Sequence, residues 1–159
     1  MPEEIIKQHT RVSKTKEEVL IGLDYGSTNI GLALGKAGLS SPLGIVSGKN
    51  DLTAIKEISK YITENRVTKV VIGLPLDGFG KDTLQSKEVR KFAKLLRIYI
   101  KLPQEFVNEN STTQEALNSS FAMGISQKRR KTLDHISAAI ILKNYYRNLE
   151  EQPKSKLKN

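Results

Sequence analysis

Cysteine is absent from the 159-residue chain. Disulfides and thiolate metal centres are thereby excluded, and any bound metal falls to carboxylate oxygens or to the two histidines, which favours a hard cation, Mg²⁺ or Mn²⁺. Long apolar runs are missing too. No stretch approaches the ~20 residues that cross a bilayer, and the opening MPEEIIKQHTRVSKTKEE lacks the apolar centre of a secretion signal, so the expectation is a cytoplasmic protein with no membrane association. Hydrophobic residues make up only 38% of the chain, yet they gather in short runs such as Val19–Leu23 and Val70–Leu74, the mark of a folded core. Acidic side chains are outnumbered, 17 against 26 lysines and arginines, for a net charge of +9. From Met123 to Asn159 basic residues number 9 and acidic ones 3, so the excess is concentrated in the last quarter and points to a polyanionic partner.

The length suits one domain. Residues 1–17 read as a polar extension, 18–149 as the folded unit and 150–159 as a charged tail. VLIGLDYG is an apolar run closing on an aspartate and a glycine, as expected of a strand buried on both faces. NIGLALG reads as its hairpin partner and GIVSG as a weaker third strand. Leu52, Ile55, Ile58 and Ile62 recur at helical spacing behind Asn50 and Asp51, either of which can cap a helix ending near Asn65. KVVIGLP is another buried strand, halted at Pro75, and the loop LDGFGKD follows. Val89, Phe92, Ala93, Leu96 and Ile100 define a second helix, which Leu102-Pro103 ends. QEFVNEN is a short strand, and Thr112 with Glu115 forms a capping box for a helix to about Phe121. Ile136, Ala139, Ile140 and Tyr146 define the buried side of a last helix. The order predicts an α/β fold with a mixed five-stranded sheet and helices on its faces.

In open α/β sheets, sites collect at the carboxyl ends of adjacent strands, where Asp24 and Glu109 both fall. Asp24 ends the most apolar strand, where a carboxylate needs a cation or hydrogen bonds to offset its desolvation. Backbone N–H groups of the Gly26-Ser27-Thr28 turn are the simpler way to meet that need. Strand alternation puts Glu109 on the face opposite Asn108 and Asn110. Asp134 is read as lying in the first turn of the last helix, where the helix dipole alone would accommodate it. Convergence of Asp24, Glu109 and Asp134 would instead create a site for divalent cations that promote in-line phosphoryl displacement. The run Lys128-Arg129-Arg130-Lys131 precedes Asp134 and, with Ser27 and Thr28, is a candidate nucleic-acid contact, gripping phosphates without regard to sequence. His135 is more simply a surface or packing residue.

Four segments in order, IGLDYGSTNIGLAL, VVIGLPLDGFG with QSKEVRKFAKLL, VNENSTTQEA, and KRRKTLDHISAAIILKNYY, resemble the bacterial YqgF family, also called RuvX or Holliday-junction-resolvase-like, from Leu20 to about Tyr146. The resemblance implies a ribonuclease H-like fold and a divalent-metal nuclease, with the family's acidic positions falling on Asp24, Glu109 and Asp134. It further implies maturation of the pre-16S ribosomal RNA, with resolution of branched DNA as the competing assignment; the sequence leaves monomer and homodimer both open. One departure stands out: the family usually reads Asp-Glu-Arg where this chain has Asn108-Glu109-Asn110, removing a carboxylate and a bidentate phosphate-gripping guanidinium. A non-catalytic nucleic-acid-binding protein is therefore the rival expectation. Asp24-Tyr25-Gly26-Ser27-Thr28 also resembles the phosphate-binding hairpin of sugar kinases, but those enzymes need a second domain that this length does not accommodate.

Overall fold

The computed structural model describes residues 17–109 and 127–151, with side chains of the last segment described from Ile136 onward. Three strands come first, β1 (Val19–Tyr25), β2 (Asn29–Lys36) and β3 (Leu39–Ser47), then α1 (Asp51–Asn65), β4 (Lys69–Leu74), α2 (Leu84–Tyr99), β5 (Gln104–Asn108) and α3 (Gln127–Glu151). The sheet order is β3-β2-β1-β4-β5. β1 and β2, and β2 and β3, pair antiparallel, whereas β1 with β4 and β4 with β5 pair parallel. β1 and β4, apolar at nearly every position, lie inside the sheet, because such strands require cover on both faces.

Alternation along the strands divides the core in two. Ile21, Leu23, Val70, Ile72 and Leu74 face α1 and α2, whose Ile55, Ile58, Val89, Phe92, Ala93 and Leu96 complete that cluster. Leu20, Val71 and Val107 face α3 and meet Ala138, Ile141, Leu142 and Tyr145. Each helix on the first face has a defined start. Asn50 caps α1 by accepting from the Thr53 N–H at 3.0 Å. Thr83 and Ser86 form a reciprocal capping box on α2, with Ser86 in the place that glutamate usually takes.

The structure corrects four expectations. β3 begins at Leu39 rather than Gly44, since it is an edge strand and tolerates Pro42, opposite Ala33, where an inner strand would not. Leu52 is 54% exposed, because the second position of α1 turns away from the sheet. The sheet-facing side of α3 is Ser137, Ala138, Ile141, Leu142 and Tyr145, with Ile136 exposed and Ala139, Ile140 and Tyr146 at the margins. Small residues suit that inner stripe, because α3 rides directly over glycines of the sheet. Finally, α3 starts at Gln127, so Asp134 lies beyond the first turn, where a dipole effect has faded. The expected 112–121 helix lies outside the described residues, as do residues 1–16 and 152–159 of the two expected extensions, while Glu150 and Glu151 of the expected tail continue α3.

Candidate functional site

Asp24 and Glu109 are brought together on the α3 face of the sheet, at its carboxyl edge. Parity along β1 puts Asp24 on the side of Leu20 and Gly22, while Tyr25 turns to the other side and stacks on Phe92 with ring centroids 4.5 Å apart. Glu109 follows β5 by one residue and shares the face of Val107, two positions before it. Its backbone N–H donates to the Leu74 carbonyl at 3.0 Å, which ties the end of β5 to the end of β4.

Between the two acids lies Gly73, one residue past the last registered β1–β4 pair, Leu23 with Ile72. A Cβ built on Gly73 would sit 2.1 Å from Oε1 of Glu109 and 2.4 Å from Cδ1 of Ile141. Any side chain there would displace the Glu109 carboxyl, so the glycine is what lets this group lie back across β4 to reach Asp24. The motif GLP in the sequence signals a strand end, but only the packing shows that its glycine makes room for an acid.

Burial lifts the Glu109 carboxyl well above the usual carboxylate range, and the negative charge of Asp24 with a hydrogen bond between the two side chains adds to the effect. Two half-buried carboxylates in hydrogen-bond contact resist both being charged unless a proton or a cation lies between them. That donor set, all hard oxygen, fits Mg²⁺ or Mn²⁺. Among the described residues the acidic grouping is this pair, with no third acid, histidine or cysteine beside it.

The other candidate residues occupy different places. Lys128, Arg129, Arg130, Lys131 and Asp134 belong to the first two turns of α3, and their side chains lie outside the described residues. Asn108 is exposed on the face opposite Val107, so asparagine at that position leaves the Asp24–Glu109 pair intact; Asn110 lies outside the described residues. Ser27 and Thr28 are exposed in the β1–β2 turn. The Thr28 carbonyl accepts from the Gly48 N–H at 2.8 Å, and Ser27 lines a cleft of about 460 Å³ with Tyr25, Lys49, Asn50 and Lys91. That cleft opens at the same sheet edge but on the α1–α2 side, next to Tyr25, whose hydroxyl donates to Asp51 Oδ1 at 3.2 Å.

A mixed five-stranded sheet in this order, with helices on both faces and acids at the carboxyl ends of β1 and β5, defines a ribonuclease H-like domain. The fowlpox virus resolvase, solved in complex with Holliday junction DNA, shares the fold at a TM-score of 0.52 and 13% identity, over 82% of this chain and 98% of that one. The chain belongs to the RuvX family, whose model, described as Holliday junction resolvase, matches residues 18–148. Its relatives include a protein of Prochlorococcus marinus strain MIT 9301, named as a candidate pre-16S rRNA nuclease, 37% identical over 88% of this chain and 89% of its own length. A Rickettsia canadensis protein with the same name is 35% identical over 77% of this chain and 81% of its own.

Proposed function

We propose that this protein is a divalent-metal-dependent nuclease that hydrolyses phosphodiester bonds in the maturation of pre-16S ribosomal RNA, using Asp24, Glu109 and Asp134. The observation that carries the reading is the half-buried, hydrogen-bonded Asp24–Glu109 pair over Gly73. With both carboxyls charged, such a pair is unfavourable in the fold, and a cation between them would offset the repulsion.

The register of α3 supports Asp134 as the third member. Gly22 lies beneath Ala138 and Leu142, Gly73 beneath Ile141, and Tyr145 reaches Lys69 at the start of β4, so the helix descends the sheet as β1 and β4 rise. Stepping back four residues from Ala138 moves about 6 Å along the helix. Stepping forward two from Gly22 moves about 6.6 Å along β1, to Asp24. The two displacements match, and spacings of four from Ala138 and seven from Ile141 keep position 134 on the sheet-facing stripe.

The carboxylates would hold the metal ion, which, when bound, supplies Lewis acidity to the phosphoryl group and to the attacking water. The backbone bond of Glu109 to Leu74 fixes where its side chain leaves the main chain, and its bond to Asp24 would hold the pair together before substrate arrives. Lys128 to Lys131 lie up to two turns before Asp134 on the same helix and would hold the phosphate backbone over it.

The test compares Asp24→Asn with the native chain on a precursor of 16S ribosomal RNA and on a four-way DNA junction, with Mn²⁺ affinity measured calorimetrically alongside. Cleavage is expected to fall on the order of a hundredfold or more, Mn²⁺ binding to weaken and RNA binding to persist. A native chain that binds RNA and Mn²⁺ yet never cuts would sink the nuclease reading. Paired symmetric nicks in the junction, with the RNA untouched, would replace the substrate.

A further inference from the structure

The loop from β4 to α2 presents an aromatic ring in a way that the fold itself does not require. Phe79, at its tip, is 91% exposed, the highest value among the large apolar side chains described. The loop beneath it is closely tied. Asp77 Oδ1 accepts from the backbone N–H groups of Phe79 and Lys81, each at 2.8 Å. The Asp77 N–H donates to the Lys81 carbonyl at 2.9 Å, and the Gly80 N–H to the Asp77 carbonyl at 3.0 Å. Thr83 Oγ1 donates to the Pro75 carbonyl at 2.7 Å, and Gly80, at φ +76°, completes the turn in a conformation suited to glycine. A ring held in water by so fixed a base has forgone the burial that would have favoured folding.

Three observations indicate what it meets. The loop springs from Leu74, whose carbonyl holds the Glu109 N–H, so it leaves the sheet at the same carboxyl edge at which Asp24 and Glu109 lie. The acids of the loop are occupied, Asp77 by its own backbone and Asp82 by Arg90 at 2.9 Å and Ser86 at 2.8 Å, whereas Lys81 stays exposed two residues from the ring. An aromatic face beside a cation suits the base and phosphate of one nucleotide. Gly78 and Gly80 flank the ring with open space around both, which is unlike the continuous apolar patch of a protein-docking surface.

We propose that Phe79 is a stacking platform for an unpaired base of the strand engaged at Asp24 and Glu109, so that the site selects nucleic acid whose bases are already unstacked. The inference rests on the nuclease reading and specifies the form of its substrate. Because the chain has no tryptophan, Phe79→Trp introduces a single indole reporter. With metal chelated, so that nothing is cut, the full chain is titrated with a single-stranded RNA and with the same sequence as a duplex. Phe79→Ala is expected to weaken single-strand binding on the order of tenfold, and duplex binding far less. Phe79→Trp should bind at least as tightly as the native chain, with its fluorescence quenched by the single strand. Leu39→Ala, at an apolar side chain 77% exposed at the start of β3 and at the opposite end of the sheet, should change nothing.

Native-level binding by Phe79→Ala, or an indole that RNA leaves unquenched, would overturn the proposal and assign the ring to a protein partner instead. Equal losses on single strand and duplex would also overturn it, by making the ring a general contact. Failure of the native chain to bind either form would instead remove the nuclease reading on which the proposal stands.

Discussion

The two faces of the sheet are built for different ends. On the α1–α2 face, eighteen buried apolar residues interlock, led by Phe92, Ile21, Leu23, Ile58, Ile72 and Leu96. On the α3 face the described cluster has eight, and its central row is interrupted by Gly22, Gly35 and Gly73, where a Cβ would come within 2.1 to 2.7 Å of α3 or Glu109. One face has traded side-chain volume for a close helix and for space at its edge, and the carboxylates occupy that space. Apolar packing is thereby concentrated on one side of the sheet, and the candidate site lies on the other. Polar contacts follow the same division at the far end: Lys69, its ammonium held charged by its bond to Glu18 and by Tyr145 and Glu105, pins α3 to the start of β4 and leaves the end of β4 to the acids.

The comparison breaks if damage to the first face reaches the site in molecules that remain folded. Phe92→Ala should cost about 3–5 kcal/mol, because the ring is 1% exposed and also carries Tyr25. Urea denaturation would measure that loss, and Mn²⁺ affinity at low temperature, where the variant is still folded, should stay near native. A large fall in metal affinity in folded Phe92→Ala would mean that the faces are coupled through Tyr25 and Asp24.

The second face is tested at Gly73. Gly73→Ala forces apart Glu109 and Ile141, so stability and metal affinity should both decline. Adding Ile141→Val removes the Cδ1 atom that the new methyl would strike at 2.4 Å and is expected to restore most of the stability, read as the urea midpoint. It leaves the clash with Oε1 of Glu109, so cleavage should remain down, by roughly ten- to a hundredfold as for displaced metal ligands and their supports. Recovery of both properties in the double variant would show that Gly73 serves helix packing alone.

Much of this division is legible from residue order. Alternating and continuous apolar runs place all five strands, Asn50 and Asp51 bracket the start of α1, and the strand-end position of Asp24 signals a site before any packing is known. The face of α3 was not legible: its apolar residues, Ile136, Ala138, Ala139, Ile140, Ile141 and Leu142, surround the helix almost completely, so periodicity does not choose a side. The choice comes from glycines on three separate strands, a tertiary match that no local pattern encodes. Glu109 has the same history. Its asparagine neighbours suggest a weakened site, whereas alternation sends Asn108 to the opposite face and only the missing side chain at Gly73 brings the glutamate to Asp24. A phenylalanine between two glycines, as at Phe79, reads simply as part of a turn, and its exposure emerges only from the fold.

The smallest expected effect concerns the strain that the site places on the fold. In the metal-free protein Glu109 holds its proton more tightly than the unfolded chain does, whose carboxyl has the ordinary value of 4.5. Above that value the unfolded state releases the proton and the folded state retains it, so the folded protein loses relative stability as pH rises, until its own carboxyl also ionises. Each unit of displacement is worth about 1.4 kcal/mol once pH exceeds both values. Glu109→Gln keeps a group able to hydrogen-bond Asp24 and removes the titration. Urea midpoints in chelator should then coincide near pH 4.5 and separate toward pH 8, with the glutamine variant the more stable by roughly 1–3 kcal/mol. Saturating Mn²⁺ should reverse the order at pH 8, because the cation replaces the proton in the native chain and has one fewer carboxylate to bind in the variant. If the two chelated curves run parallel across the whole range, the Glu109 carboxyl is not strained by Asp24, and the second face differs from the first in packing alone.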